Sequence, residues 1–483
     1  METNLAGAHA ALLANAVNAQ IVTSSQEVLM FVNEMLSFSI RDRASGSWSG
    51  RSSFFNFERC TFPAGFLYAI GTALASHGVT TQYRVKEAPA PVGPAPGTED
   101  PMGLGFSERY DYQPKTIERL LALKRMVAQV ATGGGKSRIA ILAHHAIGRR
   151  TMFLTTRGTL LYQMKDQFDA HGFACGVIGD GIWEPRRGVN VCMVQTLAQM
   201  LQSPSREHKA RQFLESVDLL IGEEAHEIAG AGYYEIANAC TNAHYRLALT
   251  GTPFMKEDEE DNMRLQAVFG SIGIQITEKT LIDRGILAEP FFKYFDSPKP
   301  PKLSRKDGWP VAQQLGLVEN ETRNAVFVHE ALRMKQIGFP VISLIQREKH
   351  GHILREKMQR AGLSASFLSG KADQSERQFG LRALSSGALD VLIGSTIFDV
   401  GVDVPSVGMV QLAGGGKDEV ALRQRVGRGL RAKKTGRNVA FILDSSDRWH
   451  PTTREHGLIR RTLIEKTPGF GERVLAEGKD FPL

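Results

Sequence analysis

The stretch QVATGGGKSR at residues 129–138 decides how this chain is expected to fold. Its apolar start is typical of a buried strand, its glycines of a tight turn, and the residues from Lys136 onward of a helix. Such a turn points backbone N–H groups inward beside the positive end of a helix dipole, an arrangement that binds phosphate. The residues predicted here to contact a nucleotide are Thr132, Gly133, Gly134, Gly135, Lys136, Ser137 and Arg138.

Two side chains of this turn have distinct predicted roles. Lys136 would supply a point charge for the β- and γ-phosphates of ATP, and Ser137 a hydroxyl for Mg²⁺. The full phosphate-loop pattern begins with a glycine, where this chain has Val130. Glycine-rich turns also occur by chance, so the interpretation needs support from elsewhere in the chain.

That support comes from LLIGEEAHE at residues 219–227, which places two carboxylates directly after an apolar run. Glu223 would hold Mg²⁺ through water, and Glu224 would orient and deprotonate the attacking water. A solvated acidic turn at the start of a helix is the alternative interpretation. A further strand-to-turn exit, LALTGTP at residues 247–253, is expected to relay the state of the γ-phosphate.

The stretch QRVGRGLR at residues 424–431 is predicted to form the second side of the nucleotide site. Gln424, Arg428 and Arg431 fall at i, i+4 and i+7, along one helical face. Planar guanidinium groups suit a phosphoryl transition state, so Arg428 and Arg431 are the arginine-finger candidates. A solvated basic face that contacts a phosphate backbone is the competing explanation.

The distribution of apolar runs predicts the domain organisation. From Met102 onward, short apolar runs without polar alternation are separated by amphipathic stretches, which indicates parallel sheets covered on both faces. A proline-rich stretch at residues 86–101 reads as a linker. The predicted divisions are a small α+β module at 1–85, this linker, α/β domains at 102–288 and 321–483, and a connection at 289–320.

Within the small module, Ser24 and Glu27 fit a capping box that opens a helix. An alternating run from Ser53 to Phe57 and a strand at Thr80 to Val85 are expected after it. The first twenty residues are alanine-rich and are expected to be helical or frayed.

Composition excludes some classes of protein. The 483 residues are 42% hydrophobic and 23% charged, and no apolar run is long enough for a membrane span. The four cysteines are scattered singly, which argues against a zinc site and a disulfide framework. A net charge of +7 suits a polyanionic partner without requiring one. A cytoplasmic monomer that does not bind membranes is expected.

With these motifs in place, the last 380 or so residues resemble superfamily 2 helicases, here of the DExH type. The resemblance implies two tandem RecA-like domains with parallel sheets, preceded by the small α+β N-terminal domain. It also implies that Gln113 recognises adenine and that Asp403 meets the ATP ribose. By the same resemblance the nucleic-acid track includes Thr156, Arg157, Gln195, Thr196, Gly370 and Thr396. One departure is Glu223, because aspartate is usual at the first position of the DExH box.

The small module narrows the resemblance. Its segment SGSWSGRSSFFNFERCTFPAGFLYAI is similar to the N-terminal domain of UvsW-type bacteriophage recombination helicases. Trp48 and Arg51 are therefore candidate DNA contacts through a base or the backbone. A tryptophan in such a turn more often packs on its own hairpin, and that alternative stays open.

The motifs and the resemblance together predict an ATP-dependent DNA helicase or translocase that unwinds or branch-migrates forked and junction DNA in replication, recombination or repair. The implied cofactors are ATP and Mg²⁺. An RNA helicase or annealing factor is the first alternative, because contacts to the phosphate backbone do not distinguish DNA from RNA. An ATPase-deficient nucleic-acid-binding scaffold is the second. A restriction-enzyme motor subunit is conceivable, but no nuclease constellation stands out.

Overall fold

The computed structural model describes residue 5 and residues 7–41, 48–224, 231–254, 258–370, 372–394, 407–417, 426–427, 430, 432–433 and 437–483. The chain divides into two compact units. Unit 1 comprises Met1–Val130 and Gly135–Ile276, and unit 2 comprises Ala131–Gly134 and Thr277–Leu483. None of the described helices combines the length and apolar character that a bilayer crossing requires.

Unit 1 begins with a small α+β module. Its four-stranded sheet has the order β5-β2-β1-β6, and a separate hairpin pairs β3 with β4. Central strand β1 pairs with β2 antiparallel and with β6 parallel. The elements are β1 (His9–Ala14), β2 (Asn18–Val22), α1 (Gln26–Met35), β3 (Ser37–Arg41), β4 (Trp48–Ser53), β5 (Thr61–Pro63), α2 (Leu67–Ser76) and β6 (Thr80–Val85).

Three local predictions for this module need correction, whereas β6 matches its prediction. The alanine-rich start forms β1 and β2, because alternate burial of its side chains on the sheet outweighs the helix propensity of alanine. Helix α1 is capped by Ser25, whose side chain accepts from the Val28 N–H, instead of by Ser24. The alternating run from Ser53 lies after β4 instead of forming a strand, since β4 ends at Ser53.

This module packs directly against the rest of unit 1 through α9 (Glu259–Phe269). The Ser39 N–H donates to Glu259 Oε2 at 2.9 Å, and Arg125 Nη2 donates to the Ala16 carbonyl at 2.9 Å. Gly65 lies so close to α9 that a Cβ there would be 2.0 Å from the Gln266 carbonyl oxygen. The contact therefore needs glycine for its close approach.

Gly65→Ala is accordingly expected to destabilise the protein by about 1–3 kcal/mol, the range for overpacking a tight interior site. The obstacle is helix backbone, which cannot rotate away as a side chain can. Thermal unfolding measures the effect. Gly188→Ala is the matched control, because a Cβ at Gly188 would meet nothing within 4 Å. Equal melting temperatures for the two variants would contradict the prediction.

The linker from residue 86 to 101 also lies on unit 1. The Val92 N–H donates to the Ile147 carbonyl at 3.0 Å, and Tyr245 Oη donates to the Pro89 carbonyl at 2.9 Å. Arg149 Nε donates to the Ala90 carbonyl at 2.7 Å. The linker is thus held along its length by the domain that follows it.

The remainder of unit 1 is an eight-stranded sheet with the order β10-β9-β11-β8-β12-β13-β7-β14, in which only β10 pairs antiparallel. The strands are β7 (Arg125–Val130), β8 (Thr151–Thr155), β9 (Gly176–Gly179), β10 (Ile182–Glu184), β11 (Val189–Met193), β12 (Leu219–Glu223), β13 (Tyr245–Thr250) and β14 (Ile272–Ile276). The helices are α3 (Tyr112–Leu123), α4 (Lys136–Ile147), α5 (Gly158–Ala170), α6 (Val194–Leu201), α7 (Glu207–Glu215), α8 (Ala231–Ala239) and α9.

Unit 2 contains a six-stranded parallel sheet with the order β15-β20-β19-β16-β18-β17. Its strands are β15 (Glu289–Phe295), β16 (Val341–Leu344), β17 (Ala365–Leu368), β18 (Val391–Gly394), β19 (Met409–Gln411) and β20 (Val439–Ser445). The helices are α10 (Glu278–Asp283), α11 (Trp309–Val311) continued by a π-helix (Ala312–Val318), α12 (Glu321–Gln336), α13 (Glu348–Arg360), α14 (Gln374–Ser385) and α15 (Pro451–Lys466). Two tandem α/β units with parallel sheets and a small α+β module confirm the predicted fold class.

Candidate active site

The predicted phosphate turn connects β7 to α4. Strand β7 lies between β13 and β14, and Met126, Val127 and Ala128 are fully buried in it. After it the chain turns through Gly133 (φ 87°) and Gly135 (φ 79°), in the left-handed region that favours glycine. The amino end of α4 therefore stands at the carboxyl edge of a parallel sheet, where anions bind.

The predicted lysine and the predicted base meet at this edge. Lys136 Nζ lies 3.8 Å from Glu224 Oε1, and both side chains are mostly buried, at 12% and 13% exposure. Glu224 adopts φ 45°, which is unusual for a residue with a side chain. Such strain clusters at functional sites, where the surrounding structure holds it in place. Glu223 ends β12 immediately before it and is half-buried.

A buried arginine fixes the helix that follows the acidic pair. Arg246 on β13 donates to the carbonyls of Ala237, Cys240 and Ala243 at 2.9–3.0 Å, near the carboxyl end of α8. Burial lowers the pKa of Arg246 to about 10, so the guanidinium remains charged at neutral pH. A cation at a helix carboxyl end is stabilising.

Gln113 lies against the same turn. It is 2% exposed on α3, and a Cβ on Gly135 would be 2.6 Å from its Nε2. Its Oε1 is buried and has no hydrogen-bond partner among the described residues. An unpaired buried acceptor is costly, so a ligand donor such as an adenine amino group would stabilise it. The residues present therefore fit a nucleotide, with Gln113 for the base and Lys136 for the phosphates.

The same site could hold Mg²⁺ with only a few ligands from the protein. Ser137 and Glu223 are the predicted ligands. Mg²⁺ in nucleotide sites is usually bound by one or two carboxylates together with substrate phosphates and water. Both assignments stay predictions.

Arg138, which stays a predicted nucleotide contact, binds Asp100 of the linker through its guanidinium. Arg138 Nη2 lies 2.8 Å from Asp100 Oδ2 and donates to the Gly105 carbonyl at 2.8 Å. Asp100 is 5% exposed at its side chain and also accepts from the N–H groups of Met102 and Leu104. This buried pair fixes the segment that leads to Gln113. Sequence reasoning missed Asp100, because it stands in a proline-rich stretch without periodicity.

Asp100→Asn is therefore expected to raise the KM for ATP about tenfold with little change in kcat, by loosening the segment that carries the base contact. Competitive inhibition by tripolyphosphate should stay unchanged, because that ligand has no base. Glu99→Gln is the control, since Glu99 is 70% exposed. A parallel loss of tripolyphosphate binding would contradict base positioning and indicate general damage to the site.

Two of the predicted nucleic-acid motifs come together in unit 1. Thr156 and Arg157 follow β8, and Gln195 and Thr196 lie in the first turn of α6. Gln195 Nε2 donates to the Thr156 carbonyl at 3.0 Å, and Gln195 itself is exposed. In unit 2, Gly370 is exposed and follows β17.

The remaining predicted residues are placed differently. Trp48 begins β4, but its side chain lies outside the described part of the chain, whereas Arg51 pairs with Glu34 at 2.8 Å on an exposed surface. The predictions that fall outside the described residues are those for Thr396, Asp403, Gln424, Arg428 and Arg431.

The comparisons with known proteins match both α/β regions. Residues 107–255 match the family described as the res subunit of type III restriction enzymes, and residues 323–433 match the helicase conserved C-terminal domain. These ranges carry the phosphate turn, the acidic pair and the arginine-rich stretch in the predicted order. The chain belongs to superfamily 2 of the helicases.

Several superfamily 2 proteins are similar along most of this helicase chain. "Putative helicase 22" of a Sulfolobus islandicus filamentous virus is 25% identical over 368 residues, covering 69% of the chain and 65% of that protein. The "DNA 3'-5' translocase XPB2" of Sulfurisphaera tokodaii is 25% identical over 360 residues, covering 68% and 79%. The "ATP-dependent DNA helicase uvsW" of phage T4 is 21% identical over 353 residues, covering 70% and 68%. The predicted resemblance to UvsW-type helicases is confirmed.

A solved structure supports the helicase fold independently of function. The fragment of a putative HsdR subunit of a type I restriction enzyme from Vibrio vulnificus aligns with a TM-score of 0.56 and 17% identity, covering 89% of this chain and 76% of that one. At this identity the likeness concerns the RecA-like fold alone. The chain spans 65% of the length of its viral relative.

Proposed function

We propose that the protein is an ATP-dependent DNA translocase or helicase that remodels forked and branched DNA. The observation that carries the proposal is the pairing of Lys136 with Glu224 beside the glycine turn, 3.8 Å apart and largely buried. The lysine proposed to bind phosphate and the proposed base therefore lie together at the carboxyl edge of the sheet. The buried, unpaired Oε1 of Gln113 supports adenine as the base.

The chain's own residues account for the steps of hydrolysis. The glycine turn and Lys136 bind the phosphates, and Glu224 accepts a proton from the attacking water. Mg²⁺, where bound by Ser137 and Glu223, supplies charge neutralisation at the β- and γ-phosphates. The additional methylene of Glu223 relative to aspartate lengthens its reach toward that ion.

The choice of DNA rests on the relatives alone, because the nucleic-acid track contacts the backbone that DNA and RNA share. The archaeal and phage relatives are named as a DNA translocase and a DNA helicase. The predicted track, in which Gln195 holds the Thr156 carbonyl, grips the backbone, so low sequence specificity and high salt sensitivity are expected. A preference for forks and junctions follows only from the UvsW-type resemblance.

The test is steady-state ATPase activity of the full chain, titrated with single-stranded DNA, forked DNA, a four-way junction and matched RNAs. Stimulation that is strongest with branched DNA supports the proposal. Stimulation by RNA alone assigns an RNA helicase. Tight DNA binding without hydrolysis assigns a scaffold, and Glu223→Asp then tests whether the longer carboxylate is the cause.

A further inference from the structure

A short basic segment in unit 2 has no role in the site described above. Residues 299–306, KPPKLSRK, contain Lys299, Lys302, Arg305 and Lys306, all of them exposed. Sequence reasoning placed them in a connection between domains. The structure instead places them after strand β15, inside unit 2. These eight residues are called the basic loop below.

The basic loop is anchored by contacts of its backbone and by the buried side chain of Leu303. Leu303 is 2% exposed and packs in a cluster with Leu317 and Trp449. The Ser304 N–H donates to Asp307 Oδ2 at 2.7 Å, and His450 contacts the Asp307 carbonyl at 3.0 Å. The charges are therefore carried on a fixed platform, which reduces the entropy cost of binding a ligand.

Within the described part of the chain, no direct ion pair holds the charges of the basic loop, and Lys302 acts only at a distance, where it adds to the effect of Lys349 in lowering the pKa of the Glu319 carboxyl. None of its four basic side chains forms an ion pair or hydrogen bond with a described residue. Elsewhere in unit 2 basic side chains commonly pair with acids, as do Lys293, Arg333, Lys335, Lys349, Lys357 and Arg448. The nearest acid in sequence, Asp307, accepts the Ser304 N–H instead. The loop thus presents concentrated positive charge to an external partner.

The position of the basic loop identifies which partner fits. All six strands of the sheet are parallel, so the loop after β15 and Gly370 after β17 stand at the same carboxyl edge. Gln313, a few residues beyond the loop, binds Gln346 at 3.1 Å and Arg347 at 2.8 Å, directly after β16. The loop is therefore continuous with the edge on which the nucleic-acid track is predicted.

We propose that the basic loop is a second DNA-backbone contact of unit 2, at the end of the carboxyl edge opposite Gly370. Strands β15 and β17 are the two outer strands, so roughly 24 Å separates them at about 4.8 Å per spacing. At about 3.4 Å per nucleotide, one strand that touches both ends covers about seven nucleotides. This inference rests on the proposed function, because it names where that function's DNA is held.

The test compares the salt dependence of DNA binding in two double variants of the full chain. Lys302→Gln/Arg305→Gln removes two charges beside the anchor Leu303. Arg360→Gln/Arg437→Gln removes two exposed charges that precede β17 and β20, at the opposite edge of the sheet. Binding to a single-stranded oligothymidylate is followed by fluorescence anisotropy between about 50 and 200 mM KCl.

Each phosphate contact contributes about 0.7 to the salt slope for single strands, so the loop variant should lose about 1.4. Wild-type affinity then falls about sevenfold more than that of the loop variant across this salt range. The control should keep the wild-type slope, and ATPase activity without DNA should be equal in all three proteins.

A wild-type slope in the loop variant, or an equal loss in the control, would overturn the proposal. Loss of binding to phosphatidylserine vesicles with unchanged DNA binding would overturn it as well, and would assign the loop to a membrane surface. Absence of DNA-stimulated ATPase in the wild type is a separate result that rejects the proposed function instead.

Discussion

Glu224→Gln is expected to lower kcat for ATP hydrolysis by about 10²- to 10⁴-fold while ATP remains bound. Glutamine keeps the size of the side chain but cannot accept the proton of the attacking water. The same substitution removes the negative charge 3.8 Å from Lys136 Nζ, so the lysine's charge is available to the phosphates. ATP affinity should therefore be kept or rise. Single-turnover hydrolysis and equilibrium binding of a fluorescent ATP analogue measure the two effects separately.

Glu223→Gln serves as the comparison for this prediction. If Glu223 acts toward Mg²⁺, its neutralisation should shift the Mg²⁺ concentration that gives half-maximal activity, whereas Glu224→Gln should leave that concentration unchanged. Full hydrolysis by Glu224→Gln would show that another group is the base. A loss of ATP binding in that variant would show that the carboxylate has a structural role.

Lys136→Ala is expected to reduce kcat/KM for ATP by about 10²- to 10³-fold or more, the range seen when one preorganised electrostatic contact to a transition state is removed. Two losses combine here. The phosphates lose a cation, and the Glu224 carboxylate loses the lysine charge beside it and faces the phosphates as an anion. ATP hydrolysis and nucleotide binding should therefore both be strongly weakened.

A double variant separates these two losses. Lys136→Ala/Glu224→Gln should bind ATP more tightly than Lys136→Ala, because the repulsive carboxylate is gone, although neither protein hydrolyses ATP. Coupled neighbours of this kind show interaction energies of about 0.5–3 kcal/mol in double-mutant cycles. Additive effects on binding would mean that the 3.8 Å pair has no energetic link. Far-ultraviolet circular dichroism of each variant verifies that folding is retained.

Strands were predicted best from the sequence where a local run of apolar residues was sufficient to define the strand. Strands β8 and β17 lie in short apolar runs of the kind that predict parallel strands, and all five residues of β8 are buried. The prediction failed for β1, where the central position in the sheet decides the conformation of an alanine-rich segment. Strand β15 alternates in burial as an outer strand does, and was assigned to a connection.

For the candidate site as well, the residues within local motifs were predicted and a contact between distant residues was not. Lys136 and Glu224 belong to motifs whose local order specifies their place at a sheet edge. The partnership of Arg138 with Asp100 joins residues 38 positions apart, and nothing in their spacing encodes it.

If the protein moves along DNA as proposed, the close contact of Gly65 with the backbone of α9 has a consequence for that movement. A module joined only by a flexible tether could stay on one DNA site while the motor advances, and the reach of the tether would limit each excursion. Here the module and the linker both pack against the rest of unit 1. DNA bound to the module would therefore move together with unit 1. The distance that the protein covers in one binding event would then depend on how fast the DNA dissociates from the module.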